Sequence, residues 1–435
     1  METVVSTKIK NRKSRLRQGF GGQAQVESIK LQKLSEIKRE KLQRISTGMG
    51  EFDRVLGGGI VPGSVILVAG EPGIGKSTLL LQIAAKLANG PLRIAHSKKL
   101  TSPKSQAPGA LYVSGEESTE QIKLRADRLE IASKNLLLLS ETDVDVVSDQ
   151  ISQLTANNQQ LTTIIDSIQS MSTTDLAGAP GSVGQVRECA NRLHRLAKDK
   201  RFPLFLIGHV TKTGVVAGPK VLEHLVDAVL YLEGERFQVF RLLRCLKNRF
   251  GPTDEVGVFQ MADKGLTEVA NPSEVFLSQR QKPAPGSAVV ATMEGNRLIL
   301  AEIQALVTPS HLAVPRRTVS GISYQRLILL CAVLQKTLNL PLGASDVYVN
   351  VAGGLRISEP AADLGVCLAI VSSLKNKPMR EKTAVFGEVG LLGEVRQVSF
   401  SQKRQKEAKK LGFSNLVSAQ NVRNIKEAMK KAFVG

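Results

Sequence analysis

Residues Gly70–Thr78 read GEPGIGKST and satisfy the pattern G-x-x-x-x-G-K-[ST]. An apolar run, Val65–Ala69, stands before them, and KSTLLLQIAAKLA, a strong helical pattern, follows. That strand–turn–helix setting makes the pattern a phosphate-binding loop. Its glycines let backbone N–H groups turn inward around phosphate oxygens, and the helix N-terminus adds its dipole. Lys76 brings a point charge to the β and γ phosphates, and the Ser77 hydroxyl suits a Mg²⁺ ligand. The expected cradle is Gly70, Glu71, Pro72, Gly73, Ile74, Gly75, Lys76, Ser77 and Thr78.

A site that splits a nucleotide also needs acids. TTIIDS ends a buried strand in Asp166, which suits the metal-orienting Walker B role. YVSGEES sets Glu116 and Glu117 just beyond another strand. In an open α/β sheet the carboxyl ends of the strands line the ligand crevice. One of the two glutamates is therefore the candidate base for attack by water, Glu116 ahead of Glu117. A helix-start acid pair complementing the dipole is the other reading.

Working outward, NLLLLS, LTTIIDS and FPLFLIGHV are further short apolar runs separated by helical patterns. Such alternation predicts α/β architecture with a mostly parallel sheet covered on both faces. NGPLRIAHSKKLTSPKSQAPG, rich in Pro, Ser and Lys, reads as an exposed insertion. Beyond about residue 260 the pattern shifts through a Pro-bearing junction, NPSEVFLSQRQKPAPGS. It continues into a hairpin, a long helix from about Tyr324 to Leu338, a period-2 strand (DVYVNVAG) and an apolar helix (AADLGVCLAIVSSLK). The expected organisation is a basic, disordered arm over 1–44, a nucleotide-binding domain over 45–270, a linker over 271–286 and a separate α+β domain over 287–435.

The chain has 435 residues, 42% apolar composition and a net charge of +20. A polyanionic partner such as nucleic acid suits that charge. The first 44 residues hold twelve Lys/Arg against four Glu, which fits either a nucleic-acid arm or a solubilising tail. No run of about eighteen apolar residues predicts a membrane span. The basic, polar N-terminus lacks an apolar signal region, so a cytoplasmic location is expected. Cys189, Cys245, Cys331 and Cys367 are far apart and form no CxxC pair, so reduced thiols rather than a zinc site are expected.

Four long segments taken together closely resemble the bacterial RadA/Sms recombination and repair ATPases. They are RISTGMGEFDRVLGGGIVPGSVILVAGEPGIGKSTLLLQ, LYVSGEES, GHVTKTGVVAGPKVLEHLVDAVLYLEGE and LKNRFGPTDEVGVFQM. SDVYVNVAGGLRISEPAADLGVCLAIVSS and VFGEVGLLGEVRQV extend the resemblance over roughly residues 45–430. It implies a RecA-like ATPase core followed by a domain similar to the Lon protease domain. It also implies ATP and Mg²⁺ as ligands, and a homohexameric ring acting on single-stranded and branched DNA beside a RecA-type recombinase. The expected role is extension of strand exchange or branch migration.

The resemblance also gives Lys247–Gly251, KNRFG, a reading. Lys247 and Arg249 look like the pair that reaches a neighbouring subunit's nucleotide, where a cation in trans neutralises charge developing on the γ-phosphate. Their spacing would put both on one side of a strand. Contact with DNA and a plain solvated strand end are the alternatives. SMSTTDLAGAPGSVGQVRE and HVTKTGVVAGPK, the latter with His209, Lys212 and Lys220, are candidate DNA loops or ordinary surface loops.

Two departures stand out. The family's four-cysteine zinc finger has no counterpart here, where the basic arm stands instead. The stretch Ala95–Pro108 is also unusual for the family, though a surface loop tolerates insertion. A Lon-like peptidase would need a serine nucleophile and a lysine base. The corresponding positions hold Ala361 and Gln402, with Ser358 three positions off, so a non-catalytic platform is expected. A KaiC-like regulatory ATPase is a further alternative.

Overall fold

The computed structural model describes residues 44–89, 109–156, 161–209, 219–234, 239–278 and 283–433. Residues 1–43 of the basic arm and the Ala95–Pro108 insertion lie outside them. Arg44 belongs to the fold, because its guanidinium donates to the carbonyls of Leu56 and Gly59.

The first sheet uses β1 (Val65–Gly70), β2 (Ala110–Ser114), β3 (Leu136–Ser140), β4 (Thr162–Asp166), β5 (Leu204–His209), β6 (Ala228–Glu233), β7 (Phe240–Asn248), β8 (Val256–Ala262) and β9 (Gly265–Glu268). Their order is β3-β2-β4-β5-β1-β6-β7-β8-β9. β1 to β6 are parallel, while β7, β8 and β9 add antiparallel pairs.

The parallel strands are apolar on both faces because each side chain enters one of two cores. Ile66, Val68, Tyr112, Ile164 and Phe205 pack on one face with α2 (Lys76–Asn89), and α1 (Gly50–Val55) adds Phe52 and Val55 to that core. Val65, Leu67, Val113, Ile165 and Leu204 pack on the other. There they meet α4 (Val144–Ala156) and α5 (Val183–Lys200), whereas α3 (Thr119–Arg128) sends Ile122 and Ala126 to the α2 side. The period of two thus divides each strand between two helical layers.

The second sheet comprises β10 (Ser287–Glu294), β11 (Arg297–Pro309), β12 (Arg317–Ser320), β13 (Ser345–Val351), β14 (Thr383–Phe386) and, after the small hairpin β15 (Glu388–Val389) and β16 (Val395–Arg396), β17 (Asn415–Ser418). Its order is β12-β13-β11-β10-β14-β17. Within the stretch read as a linker, α6 (Pro272–Ser278) packs Phe276 into this half's core. α7 (Tyr324–Leu338) and α8 (Asp363–Leu374) cover one face, and Asp363–Ser372 is buried throughout. A helix apolar all round takes such a central place. α9 (Ser401–Lys410) supplies Ala408 to the opposite core, and α10 (Ile425–Ala432) closes the chain's end.

Ion pairs join the two sheets where the β10–β11 hairpin meets the first. Arg297 pairs with Glu51 of α1, both almost fully buried, and donates to the Ala270 carbonyl at 2.8 Å. Arg244 of β7 spans Glu233 at 2.7 Å and Glu294 at 2.6 Å. Burial raises the Glu294 carboxyl, although Arg244 opposes it. Among the described residues no helix is long and apolar enough to cross a membrane.

Candidate nucleotide site

The loop Gly70–Thr78 joins the carboxyl end of β1 to the N-terminus of α2, as its sequence pattern requires. Gly75 has φ +110°, and a Cβ there would meet Met261 Cε at 2.9 Å. Gly70 lies so close to β6 that a Cβ would stand 2.6 Å from the Leu232 carbonyl oxygen. Both positions need glycine for space, and Gly75 for backbone conformation too.

Lys76 is buried, and its Nζ donates to the Gly70 and Glu71 carbonyls, each at 3.0 Å. Burial pulls its ammonium down to about 8, against the opposing pull of Asp166 and Glu116. These bonds keep a buried cation satisfied at the place where phosphate oxygens would meet it.

The parallel register gathers the rest. Ser114 lies opposite Asp166, and Gly70 lies opposite His209. The ends of β2, β4, β5 and β1 therefore bring Glu116, Asp166, Ser167 and His209 to the loop. Asp166 is 6% exposed, and Oδ2 accepts a short hydrogen bond from the Tyr112 hydroxyl. The Ser77 side chain also hydrogen-bonds to Tyr112. Burial and the adjacent carboxylate push this phenol well above its ordinary value, so it remains a donor.

The two glutamates separate. Glu117 pairs with Arg125 of α3, and its N–H donates to Ser114 Oγ at 2.9 Å. Glu116 accepts from the Ser167 hydroxyl and lies 3.6 Å from His209 Nε2. Among the described residues neither His209 ring nitrogen has a hydrogen-bond partner. Burial and the Lys76 charge lower its basicity, with Glu116 opposing, so the imidazole is neutral at neutral pH.

Ser77 and Asp166 touch one phenol, so their oxygens lie near each other. A hydroxyl and a carboxylate suit Mg²⁺, which typically takes one or two protein oxygens and keeps waters and phosphate oxygens for the rest. The residues present fit that ion. All four cysteines are buried free thiols.

Lys247 and Arg249 stand away from this cluster. In the antiparallel β6–β7 pair Ala228 lies opposite Asn248, while Gly70 pairs with Leu232 at the other end of β6. The two cations therefore lie at the amino end of β1 and the loop at its carboxyl end. Lys247 Nζ donates to Glu223 O at 2.6 Å and Val226 O at 2.8 Å, and burial with the Arg249 charge lowers it. Arg249 is half exposed and reaches Asp227 at 3.4 Å.

The expected placement on one side of a strand is corrected. β7 shifts register between Lys247 and Cys245 and ends at Asn248. The Asn248 side chain accepts from Phe250 N–H at 2.9 Å, forming a local turn that holds Arg249 outside the strand. Lys220 is exposed in the turn Pro219–Val221, and Lys212 lies outside the described residues.

Tyr112 and Ser167 escaped the sequence reading, and His209 entered it only as a loop residue. A phenol inside the aliphatic run ALYVS was the available signal for Tyr112, since a buried hydroxyl demands a partner.

The AAA domain family matches residues 35–215. Over 417 residues, 96% of this chain and 86% of the relative, the sequence is 47% identical to the DNA repair protein RadA of Halalkalibacterium halodurans. The chain belongs to the RadA family. RadA of Bacillus subtilis is 46% identical over 95% of this chain and 86% of its own. RadA of Streptococcus pneumoniae is 46% identical over 94% and 96%. Among solved structures, a single ATPase domain aligns at 13% identity and a TM-score of 0.41, covering 52% of this chain and 92% of that one.

In this RadA family chain Ala361 is buried, while Ser358 and Gln402 are exposed. The neighbouring cleft, about 770 Å³, presents Ser320, Ser323 and Ser358, but among the described residues its lining includes no lysine or histidine. On α9, Arg404 is wholly buried against Glu359 and the Ala291 carbonyl. It holds the domain together and leaves Lys403, Lys406, Lys409 and Lys410 as the exposed cations of that helix.

Proposed function

We propose that this chain is a DNA-stimulated ATP hydrolase that works as a homohexameric ring on single-stranded DNA. In this reading it processes branched recombination intermediates beside a RecA-type recombinase, extending strand exchange or branch migration. Residues 45–270 form the RecA-like ATPase domain, 271–286 the connection, and 287–435 a Lon-protease-like domain without proteolytic activity. The lack of a lysine or histidine among the described residues of the cleft lining supports the last point, since a serine there has no base.

Gly70–Thr78 cradle the triphosphate, with Lys76 exchanging its carbonyl partners for phosphate oxygens. Ser77 and Asp166 hold Mg²⁺, which when bound neutralises phosphate charge. Glu116 accepts the proton of the attacking water, and Ser167 and His209 orient its carboxylate. Glu117, engaged with Arg125, is the weaker candidate. Lys220, Lys212 and the exposed lysines of α9 meet DNA phosphates, which electrostatic contact tracks without reading sequence.

One observation carries the ring. Arg249 and Lys247 sit at the far end of β1 from their own phosphate loop, so they meet a nucleotide only across a boundary between subunits. ATP turnover measured with and without single-stranded DNA tests the proposal. Stimulation by DNA is expected. Turnover indifferent to DNA, or autophosphorylation in its place, overturns the motor reading in favour of a regulatory ATPase.

A further inference from the structure

Tyr112 is wholly buried in the middle of β2, opposite Ile164 of β4 and against the α2 layer. Packing alone does not call for its hydroxyl. Phenylalanine has the same ring, and a phenol in an apolar core costs free energy unless its O–H finds a partner. Here the partners belong to the site itself. The hydroxyl donates to Asp166 Oδ2, and the Ser77 side chain hydrogen-bonds to it as well.

Asp166 and Ser77 come from different elements, the end of β4 and the first turn of α2. β4 and α2 are joined only through the sheet and its core, so the mutual position of these two side chains is not fixed by local backbone. One buried oxygen touching both supplies that link. It also commits one carboxylate oxygen of Asp166 and thereby fixes the rotation of the group.

We propose that Tyr112 is a positioning residue for the divalent cation of the nucleotide site, aligning Asp166 and Ser77 as a pair of ligands. This rests on the nucleotide-site reading above. Tyr112 does not touch the nucleotide or the reacting atoms. It acts through the two residues that hold the ion, as hydrogen-bond partners behind metal ligands generally do.

The test is Tyr112→Phe in the full chain, read by binding of a fluorescent ADP analogue titrated with Mg²⁺ and repeated in EDTA. Metal-free affinity should stay within about twofold of wild type. The Mg²⁺ concentration giving half of the metal-dependent gain in affinity should rise about tenfold or more. An unchanged Mg²⁺ dependence overturns the proposal. So does a variant that loses metal-free binding or melts far below wild type, because the hydroxyl then serves the fold. A wild type whose affinity ignores Mg²⁺ removes the metal-site reading itself, and with it any task for Tyr112. That outcome is distinct from an unchanged variant.

Discussion

Arg249 and Lys76 stand at opposite ends of the same strand. β1 begins at Val65, whose N–H donates to Asp227, the partner of Arg249, and ends at Gly70, whose carbonyl accepts from Lys76. Six residues of extended chain separate them by roughly 17–20 Å, beyond the reach of an arginine side chain.

This separation makes a mixing experiment decisive. Lys76→Ala and Arg249→Ala should each lose turnover, the second by roughly 10³–10⁵-fold while still binding nucleotide. Mixed subunits should regain part of the activity, because some interfaces then combine an intact loop with an intact arginine. Assembled mixtures that remain inactive would end the trans role of Arg249.

Glu116 and Glu117 are adjacent in sequence but face different partners, Ser167 and His209 in one case and Arg125 in the other. Glu116→Gln should slow ATP turnover about 10²–10⁴-fold with nucleotide affinity retained. Glu117→Gln should leave turnover near wild type. Steady-state kinetics together with a binding titration separate these outcomes, and the reverse ranking would reassign the base.

The buried pair Glu51–Arg297 should be costly to break and cheap to replace. Arg297→Ala strands a buried carboxylate, with an expected loss of about 3–5 kcal/mol. The double variant Glu51→Leu/Arg297→Met should recover much of that loss, since apolar groups of similar volume need no partner. Denaturant unfolding of the three proteins checks the prediction. A double variant no better than the single would show that Arg297 matters chiefly for its bond to the Ala270 carbonyl.

Acid should weaken the fold through two histidines. Burial lowers both His209 and His194, with Lys76 adding to the effect at the first and Lys198 at the second. Their folded values lie below the unfolded 6.5, so the unfolded chain binds more protons between the two. Their contribution is therefore intact above about pH 6.5 and is lost as pH falls from there towards the folded values. Melting temperature should drop between about pH 7.5 and 5.5, and drop less in His194→Gln/His209→Gln. An identical drop in the double variant would place the acid sensitivity elsewhere.

Much of this architecture was legible in the chain because its signals are local. The loop at Gly70–Thr78 needs particular residue types at fixed spacing, and the apolar runs ending in Asp166 and His209 could only be buried strands. What escaped depends on register between distant segments. Tyr112 gains its meaning from β4, fifty-four residues on. The placement of Arg249 follows from a register shift in β7 and from the turn made by Asn248. Nothing in KNRFG alone marks where its strand will stop.

The paired ions at the β10–β11 hairpin have a mechanical meaning. Glu51 with Arg297 and Arg244 with Glu233 and Glu294 rivet the two sheets at a nearly dry seam. A body fastened in this way has no elbow there. Whatever displacement begins around Lys76 is delivered to the outer surfaces of the whole body, which then moves as a lever rather than bending as a joint.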